Sequence, residues 1–289
     1  MLLRSVTPVS LRTPHTGVMA AYVDSLPKIP AAAITIEDAA SIHRLVARGV
    51  RVRVRLVMGA RTLDDVLSHN VIGELRGREH PDEIVVVGGH LDSWDVGQGA
   101  VDDGGGCVIA METLRLMKQL NLRPRRTVRC VLWLNEENGT RGGTAYADSL
   151  VPAALARHVA AIESDGGVER PTGFGVSARS ASGEPDTVRT RAAAGRMREI
   201  GRLLAGLGAD NVVERGGGTD IGPLMRRGVT GIAHRTSGEH YFDWHHSPAD
   251  TFDKVDPLEL RRNVAALAVM TWVLADMPED LTAPLTESQ

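Results

Sequence analysis

The apolar positions along the chain predict strands that alternate with helices. Short runs rich in branched aliphatic residues predict strands at residues 31–36, 71–75, 83–87, 127–134 and 158–162. Helical spacing and end signals predict helices at residues 104–120, 142–149, 185–207 and 256–277, the last opening with Asp256 and Pro257. Strands that alternate with helices pack as an α/β sheet with helices on its faces. The fold class predicted from the pattern is therefore α/β.

The first 66 residues have a pattern of their own. Thr35 is expected to cap a helix that ends at Gly49. Residues 50–56 then alternate aliphatic with arginine side chains, which is the period of a half-buried strand. Because the pattern changes at residue 67, we predict a small α/β unit over residues 1–66 and a larger domain over residues 67–289.

Two finer predictions concern the larger domain. Residues 77–81 separate two strand-like runs, which makes a hairpin between those runs plausible. In the helix at residues 104–120, the spacing of Val108, Met111 and Leu114 predicts that these side chains form one apolar stripe.

Composition and charge limit the classes of function. The chain has 289 residues, 43% hydrophobic residues and a formal charge of -3, which is typical of a soluble globular protein and argues against a nucleic-acid partner. The longest apolar run, residues 264–275, is shorter than the ~20 residues that cross a bilayer, so no membrane partner is expected. Residues 1–5 do not begin a signal peptide. Cys107 and Cys130 lie in apolar surroundings and are expected to be buried free thiols.

Acidic and imidazole side chains follow three of the predicted strands. In chain order these are His90 and Asp92, then Glu136 and Glu137, then Asp165. In open α/β sheets, ligands bind at the carboxyl ends of the strands. Two further groups are the pair Asp102-Asp103, which precedes a helix, and the pair His245-His246, which lies in a stretch dense in aromatic residues. We therefore expect a functional site at this edge of the sheet.

Carboxylates gathered at a sheet edge repel one another, and burial raises the cost of each charge. Divalent cations remove this cost. Three carboxylates and two imidazoles suit zinc, with manganese or cobalt as alternatives, and these candidate ligands are His90, Asp102, Glu137, Asp165 and His246. Five ligands exceed what one tetrahedral zinc with an open position takes, whereas they suit two ions bridged by a carboxylate.

Each of these signals also has an ordinary structural explanation. An Asp-Asp-Gly turn often caps a helix, so Asp103 is a candidate cap, and paired glutamates or histidines often lie on a solvated surface. The joint placement at successive strand ends favours the metal site. A serine hydrolase is disfavoured because neither Ser93 nor Ser164 lies in a Gly-x-Ser-x-Gly segment, and no phosphate-binding loop with Gly-Lys-Ser/Thr occurs.

Several segments, in the same order, resemble the carboxypeptidase Q branch of the co-catalytic zinc aminopeptidases. The segments are residues 88–104, 135–139, 163–165 and 241–251. The resemblance implies a phosphorylase/hydrolase-like mixed sheet with helices on both faces and two zinc ions. It also implies that residues 1–66, which include Arg12-Thr-Pro-His-Thr-Gly17, are part of a protease-associated domain. The chain thus resembles an N-terminally truncated member of that branch.

The resemblance also assigns roles to individual residues. One zinc would be held by His90 and Asp165 and the other by Glu137 and His246, with Asp102 bridging them. Glu136 would be the general base that deprotonates a water bridging the two metals, and Asp92 would orient His90. The peptide bond between residues 102 and 103 is expected to be cis. Residues 216–220 match a loop that lies near the substrate in this branch, and the alternative is that they only form a turn.

The function implied is that of a di-zinc exopeptidase that hydrolyses dipeptides or short peptides with free termini. Whether the outcome is that of an aminopeptidase, a carboxypeptidase or a dipeptidase stays open. The alternatives are a transferase similar to glutaminyl cyclase, with one zinc, and a non-catalytic binding ectodomain or inactive fragment. The resemblance suggests a short peptide as substrate, a homodimer, and a secreted or periplasmic location for full-length members.

Overall fold

The structure is a computed structural model that describes residues 1–7, 11–18, 25–61 and 63–283. In chain order its main elements are β1 (Leu2–Arg4), β2 (Ala32–Ile34), α1 (Ile36–Ala47), β3 (Val71–Leu75), β4 (His80–His90), α2 (Gly105–Gln119), β5 (Arg126–Trp133), α3 (Arg141–Asp148), α4 (Pro152–Leu155), β6 (His158–Glu163), β7 (Pro171–Ser177), α5 (Thr187–Gly201), β8 (Asn211–Val213), α6 (Gly222–Met225), β9 (Gly231–Thr236), α7 (Tyr241–Trp244) and α8 (Pro257–Asp276). The prediction of an α/β fold is confirmed.

The larger part of the chain is built on a seven-stranded mixed sheet with the strand order β3-β5-β4-β6-β9-β7-β8. Strands β5, β4, β6 and β9 are parallel neighbours, while β3 and β7 run antiparallel to β5 and β9 respectively. The carboxyl ends of the four parallel strands therefore lie at one edge of the sheet. A separate parallel pair, β1 with β2, lies in the N-terminal part of the chain.

Both faces of the central strands are buried, as the alternation along β4 shows. Val85 and Val87 belong to the core layer that contains α2, α5 and α8. Ile84 and Val86 belong to the second core layer, which contains α3 and α6. Burial on both faces explains why this strand is apolar at successive positions. Each such side chain contributes about 1.5–3 kcal/mol by leaving water, so the central strands anchor the sheet edge that follows them.

The predicted helix ends agree closely with the structure. The hydroxyl of Thr35 accepts a hydrogen bond from the amide of Asp38 at 3.0 Å and caps α1. The carboxylate of Asp256 accepts from the amides of Leu258 and Glu259 at 2.7 and 3.0 Å and caps α8. These caps satisfy amides that have no partner within the helix. Among the described residues, no helix has the length and apolarity that crossing a bilayer requires.

Two predictions of strand structure were wrong. Residues 50–56 form no strand, although their side chains alternate, because the described residues offer no neighbouring strand to pair with. The hairpin across residues 77–81 is also absent. β3 instead pairs with β5, and β4 lies on the other side of β5. The protease-associated domain and the boundary at residue 66 stay predictions.

The face of α2 that packs on the core is a different one from the predicted apolar stripe. Val108 and Met111 are 36% and 45% exposed, whereas Gly106, Ala110 and Met117 are buried. A Cβ on Gly106 would lie 1.8 Å from the carbonyl oxygen of Ser164, so the helix approaches the loop after β6 closely through small residues. The prediction of buried free thiols at both cysteines is confirmed.

His158, the first residue of β6, is buried with both ring nitrogens engaged. Its Nδ1 lies 2.9 Å from the Ala154 carbonyl, and its Nε2 lies 2.9 Å from the Tyr146 hydroxyl. Because a carbonyl can only accept, Nδ1 donates to Ala154, and in the neutral ring Nε2 then accepts from the Tyr146 hydroxyl, which itself accepts from Arg129. Burial lowers the pKa of His158.

This geometry predicts a pH-dependent contribution to stability. A lowered pKa in the folded state makes the contribution fully present above about pH 6.5 and lost as the pH falls towards the folded value. His158→Gln is therefore expected to reduce the fall in the free energy of unfolding between about pH 6.5 and 5, by at most about 1.4 kcal/mol per pH unit. Urea unfolding of both proteins across this range measures the effect, and identical pH slopes would contradict the assignment.

Candidate metal centre

The five predicted ligands converge around the carboxylate of Asp102. Its Oδ1 lies 3.2 Å from Nε2 of His90, which lies 3.7 Å from Oδ1 of Asp165. Its Oδ2 lies 3.1 Å from Nε2 of His246, which lies 2.9 Å from Oε2 of Glu137. The two oxygens of one carboxylate therefore face two separate pairs of donor atoms.

The elements that carry these residues explain why the residues meet. His90 ends β4, Glu137 lies just beyond β5, and Asp165 lies just beyond β6. These three parallel strands are neighbours, so their ends share one edge of the sheet. His246 arrives from the short helix α7, which follows β9. Asp102 lies in the turn before α2, where the peptide bond between Asp102 and Asp103 is cis, as the resemblance implied.

The donor atoms fit zinc in type and spacing. Ligand atoms around a tetrahedral zinc, with bonds of about 2.1 Å, lie about 3.4 Å from one another. The four donor distances span 2.9 to 3.7 Å. Buried oxygens of Asp102, Glu137 and Asp165 also accept no well-oriented hydrogen bond from the described residues. Three buried carboxylate oxygens without a hydrogen-bond donor are a feature expected of a cation site.

The electrostatics of the cluster point the same way. Burial alone lowers the pKa of His90 and His246, yet the neighbouring carboxylates raise both, that of His246 to about 10. Burial raises the pKa of Asp165 to about 6. Protons thus balance the negative charge when no cation is bound. A bound dication balances the same negative charge, and the carboxylates can then stay ionised and the histidines neutral.

The predicted catalytic pair, Glu136 and Asp92, lies beside the cluster. The two oxygens of Asp92 accept hydrogen bonds from the amides of Glu136 and Glu137 at 3.1 and 3.2 Å. Nδ1 of His90 lies 2.8 Å from the main-chain carbonyl of Asp92 but 3.8 Å from its carboxylate. Asp92 therefore contacts His90 mainly through its backbone, and its carboxylate positions the segment after β5.

Two further carboxylates hold the turn that carries Asp102. Asp250 accepts from the amides of Val101 and Asp102 at 2.7 and 3.1 Å. Asp103 accepts from the amides of His90 and Gly106 at 3.0 and 3.1 Å, which fulfils the capping role considered for it. Both carboxylates fix backbone next to the candidate ligands, which restricts where Asp102 can point.

A pair of buried acids, to which the sequence assigned no role, lies behind the centre. Glu163 accepts from the amides of Thr219 and Ile221 at 2.8 and 2.9 Å, which anchors the loop that precedes α6. Burial and the neighbouring Asp165 raise the pKa of Glu163 to about 8. Asp220 is 1% exposed, and neither of its carboxylate oxygens has a donor among the described residues. Burial next to Glu163 raises the pKa of Asp220 to about 9.

The N-terminal segment also reaches the centre, which the sequence analysis did not predict. The carbonyl of Thr16 lies 2.7 Å from Nδ1 of His246, and its amide donates to the His246 carbonyl at 2.9 Å. Nδ1 of His15 lies 3.1 Å from Nδ1 of His245. His245 itself is 3.6 Å from Asp102, farther than His246. These contacts favour His246 over His245 as the ligand, and the hydrogen bond with Thr16 orients the ring of His246.

Comparison with known proteins gives concordant results. The model of peptidase family M28 matches residues 70–271. Carboxypeptidase Q of Mus musculus is 42% identical over 97% of this chain and 57% of its own length, so the chain spans little more than half of that relative.

Solved structures agree at the level of the fold. A peptidase M28 precursor from Shewanella amazonensis has a TM-score of 0.84 and 34% identity, covering 99% of this chain and 62% of that one. The zinc aminopeptidase BSAP from Bacillus subtilis, at 20% identity and a TM-score of 0.55, covers 74% of this chain and 52% of its own. At that identity BSAP shows the fold alone. On the family match and the carboxypeptidase Q relatives, the chain belongs to peptidase family M28.

Proposed function

We propose that this chain is a zinc exopeptidase that hydrolyses dipeptides or short peptides with free termini. The observation that carries the proposal is the carboxylate of Asp102, whose two oxygens face His90 and His246 at 3.2 and 3.1 Å. A carboxylate placed between two donor pairs is the arrangement that suits two metal ions. Membership of a peptidase family supports the reaction class.

The residues proposed to hold zinc are His90, Asp102, Glu137, Asp165 and His246. When bound, zinc supplies positive charge that polarises a peptide carbonyl and makes water easier to deprotonate. Both imidazoles would bind zinc as neutral rings through Nε2. Nδ1 of His90 donates to the Asp92 carbonyl and Nδ1 of His246 donates to the Thr16 carbonyl, so Nε2 is the nitrogen of each ring that would give up its proton when zinc binds.

Glu136 is proposed as the proton carrier. Its backbone amide is held by Asp92, and its carboxylate interacts with the side chain of Thr219. From this position the carboxylate takes a proton from the attacking water and gives it to the leaving amine nitrogen. One carboxylate serves both steps because the proton that it takes from water is the proton that the leaving amine needs. Cleavage thus yields a free amine and a free carboxylate.

Turnover of unblocked dipeptides tests this function. The chain, incubated with zinc, is expected to release free amino acids from Ala-Leu and similar dipeptides, and chelation is expected to abolish release. A peptide with N-terminal glutamine, assayed for loss of ammonia, examines the glutaminyl-cyclase alternative. Cyclisation without dipeptide hydrolysis, or no turnover by a folded zinc-loaded sample, would contradict the proposal.

A further inference from the structure

The loop that follows β4, residues 91–99, carries a tryptophan that touches two of the candidate ligands. The indole Nε1 of Trp94 donates to Oε2 of Glu137 at 2.7 Å. The ring of Trp94 also lies beside the imidazole of His246, with 5.9 Å between the ring centroids. Glu137 and His246 are the pair proposed to hold one of the two zinc ions. Trp94 contacts this pair without being a ligand, because an indole N–H can only donate.

Few groups fix the orientation of the Glu137 carboxylate. The side chain is 4% exposed, and its Oε1 accepts no hydrogen bond from the described residues. Its Oε2 lies 2.9 Å from Nε2 of His246 and accepts the indole N–H of Trp94. When zinc binds, Nε2 of His246 would give up its proton, so His246 could no longer donate to Glu137. In the part of the chain that the structure describes, Trp94 is then the remaining side-chain donor to this carboxylate.

The loop that carries the indole is fixed to the segment after α7. The amide of Gln98 donates to the Asp250 carbonyl at 2.7 Å, and its side-chain oxygen accepts from the Phe252 amide at 2.8 Å. A Cβ on Gly97 would lie 2.6 Å from the carbonyl oxygen of Ser247, so glycine is required where the two segments meet. The indole is therefore held in place by contacts that a change of its own side chain leaves intact.

The other pair of candidate ligands has different surroundings. Nδ1 of His90 lies 2.8 Å from the main-chain carbonyl of Asp92, and Oδ1 of Asp165 accepts no hydrogen bond from the described residues. Within the described ranges, Trp94 is the one tryptophan whose N–H donates to a candidate ligand. Loss of the indole N–H is therefore expected to act on one of the two proposed zinc positions and not on the other.

We propose that Trp94 is a positioning residue for the zinc position formed by Glu137 and His246, and that its indole N–H sets the zinc affinity of this position alone. The proposal rests on the proposed di-zinc function. A hydrogen bond to a metal ligand restricts the ligand to the orientation that binds, and its loss costs about 10- to 100-fold in metal affinity. The charge on the acceptor makes this hydrogen bond stronger than one between neutral groups.

Trp94→Phe tests the proposal, because it removes the N–H and keeps an aromatic ring beside His246. Zinc binding to the metal-free chain is measured by calorimetry in competition with a chelator of known affinity. The wild type is expected to bind two ions. Trp94→Phe is expected to bind one of them about 10- to 100-fold more weakly and the other with unchanged affinity. Anomalous diffraction from crystals of the variant at limiting zinc is expected to show the lower occupancy beside Glu137 and His246.

The indole proton supplies a second readout, which needs no variant. In the zinc-loaded wild type labelled with ¹⁵N, the indole N–H of Trp94 is expected to stay hydrogen-bonded and to exchange slowly with deuterium. A packing role alone would leave this proton free to exchange. Rapid exchange, measured by nuclear magnetic resonance, would overturn the proposal even if Trp94→Phe failed to fold.

Trp272→Phe is the matched control, because it makes the same change on α8, where Trp272 packs against the apolar core. It is expected to leave both zinc affinities unchanged. Wild-type affinity at both positions in Trp94→Phe, or an equal loss at both, would overturn the proposal. Failure of the wild type to hydrolyse any dipeptide, with the selective loss of zinc affinity intact, would count against the peptidase function and not against the role of Trp94.

Discussion

Glu136→Gln is expected to lower kcat for dipeptide hydrolysis about 100- to 10,000-fold, the usual contribution of a positioned general base. The amide of glutamine has nearly the shape of the carboxylate but cannot accept a proton from water at neutral pH. The neighbouring contacts survive, because Asp92 binds the backbone amide of residue 136 and not its side chain. Zinc content and melting temperature are therefore expected to match the wild type. Steady-state kinetics with zinc analysis of the same sample measure both.

Glu199→Gln is the control for this substitution. Glu199, on α5, is exposed and pairs with the exposed Arg202 that follows this helix, so its loss is expected to leave kcat unchanged. A Glu136→Gln variant with wild-type kcat would exclude Glu136 as the proton carrier. Loss of zinc together with activity would instead assign Glu136 to the ligand set.

Asp102→Asn is expected to have the second large effect, since both donor pairs share this residue. An amide keeps one neutral oxygen and loses the negative charge, so both donor pairs lose the carboxylate that they share. The affinity for zinc is expected to fall more than about 100-fold. Loss of a hydrogen bond that only orients a metal ligand costs about 10- to 100-fold, and loss of a ligand costs more. The stabilisation that zinc confers on the folded chain, about 2.7 kcal/mol at a concentration 100 times Kd, is then expected to disappear.

Thermal unfolding with and without a chelator measures this second effect. The wild type is expected to lose melting temperature on chelation, whereas Asp102→Asn is expected to show no change. Asp82→Asn serves as the matched control, because Asp82 is exposed and pairs with Arg157 away from the sheet edge that carries the centre. A zinc-dependent melting temperature retained in Asp102→Asn would exclude Asp102 as the shared ligand.

The sequence located the candidate site because parallel strands deliver their carboxyl ends to one edge. The apolar runs of β4, β5 and β6 predicted strands whose ends carry His90, Glu137 and Asp165, and the parallel pairing of these strands brings the three residues together. Helix caps such as Thr35 and Asp256 were also predictable, since they depend on residues within one turn. In both cases the residues that give the signal lie within a few positions of one another in the sequence.

The remaining features depend on contacts between distant residues. The edge partner of β3 could not be read from its own side chains, so the hairpin with β4 was a wrong choice among neighbours. Strands β7, β8 and β9 contain glycine and polar residues and give a weak apolar signal. The contact of Thr16 with His246 joins positions 230 residues apart, and no periodicity encodes it. The core-facing side of α2 gives a weak apolar signal because close packing there selects small residues such as glycine and alanine.

The number and position of bound zinc ions decide whether Asp102 is shared by two metals. A crystal of the zinc-loaded chain, with data collected on both sides of the zinc absorption edge, is expected to show two anomalous peaks roughly 3.5–4 Å apart, one on each side of the Asp102 carboxylate. One peak would lie beside His90 and Asp165, and the other beside Glu137 and His246. A single peak, or peaks elsewhere in the chain, would contradict the proposal that Asp102 joins two metal ions.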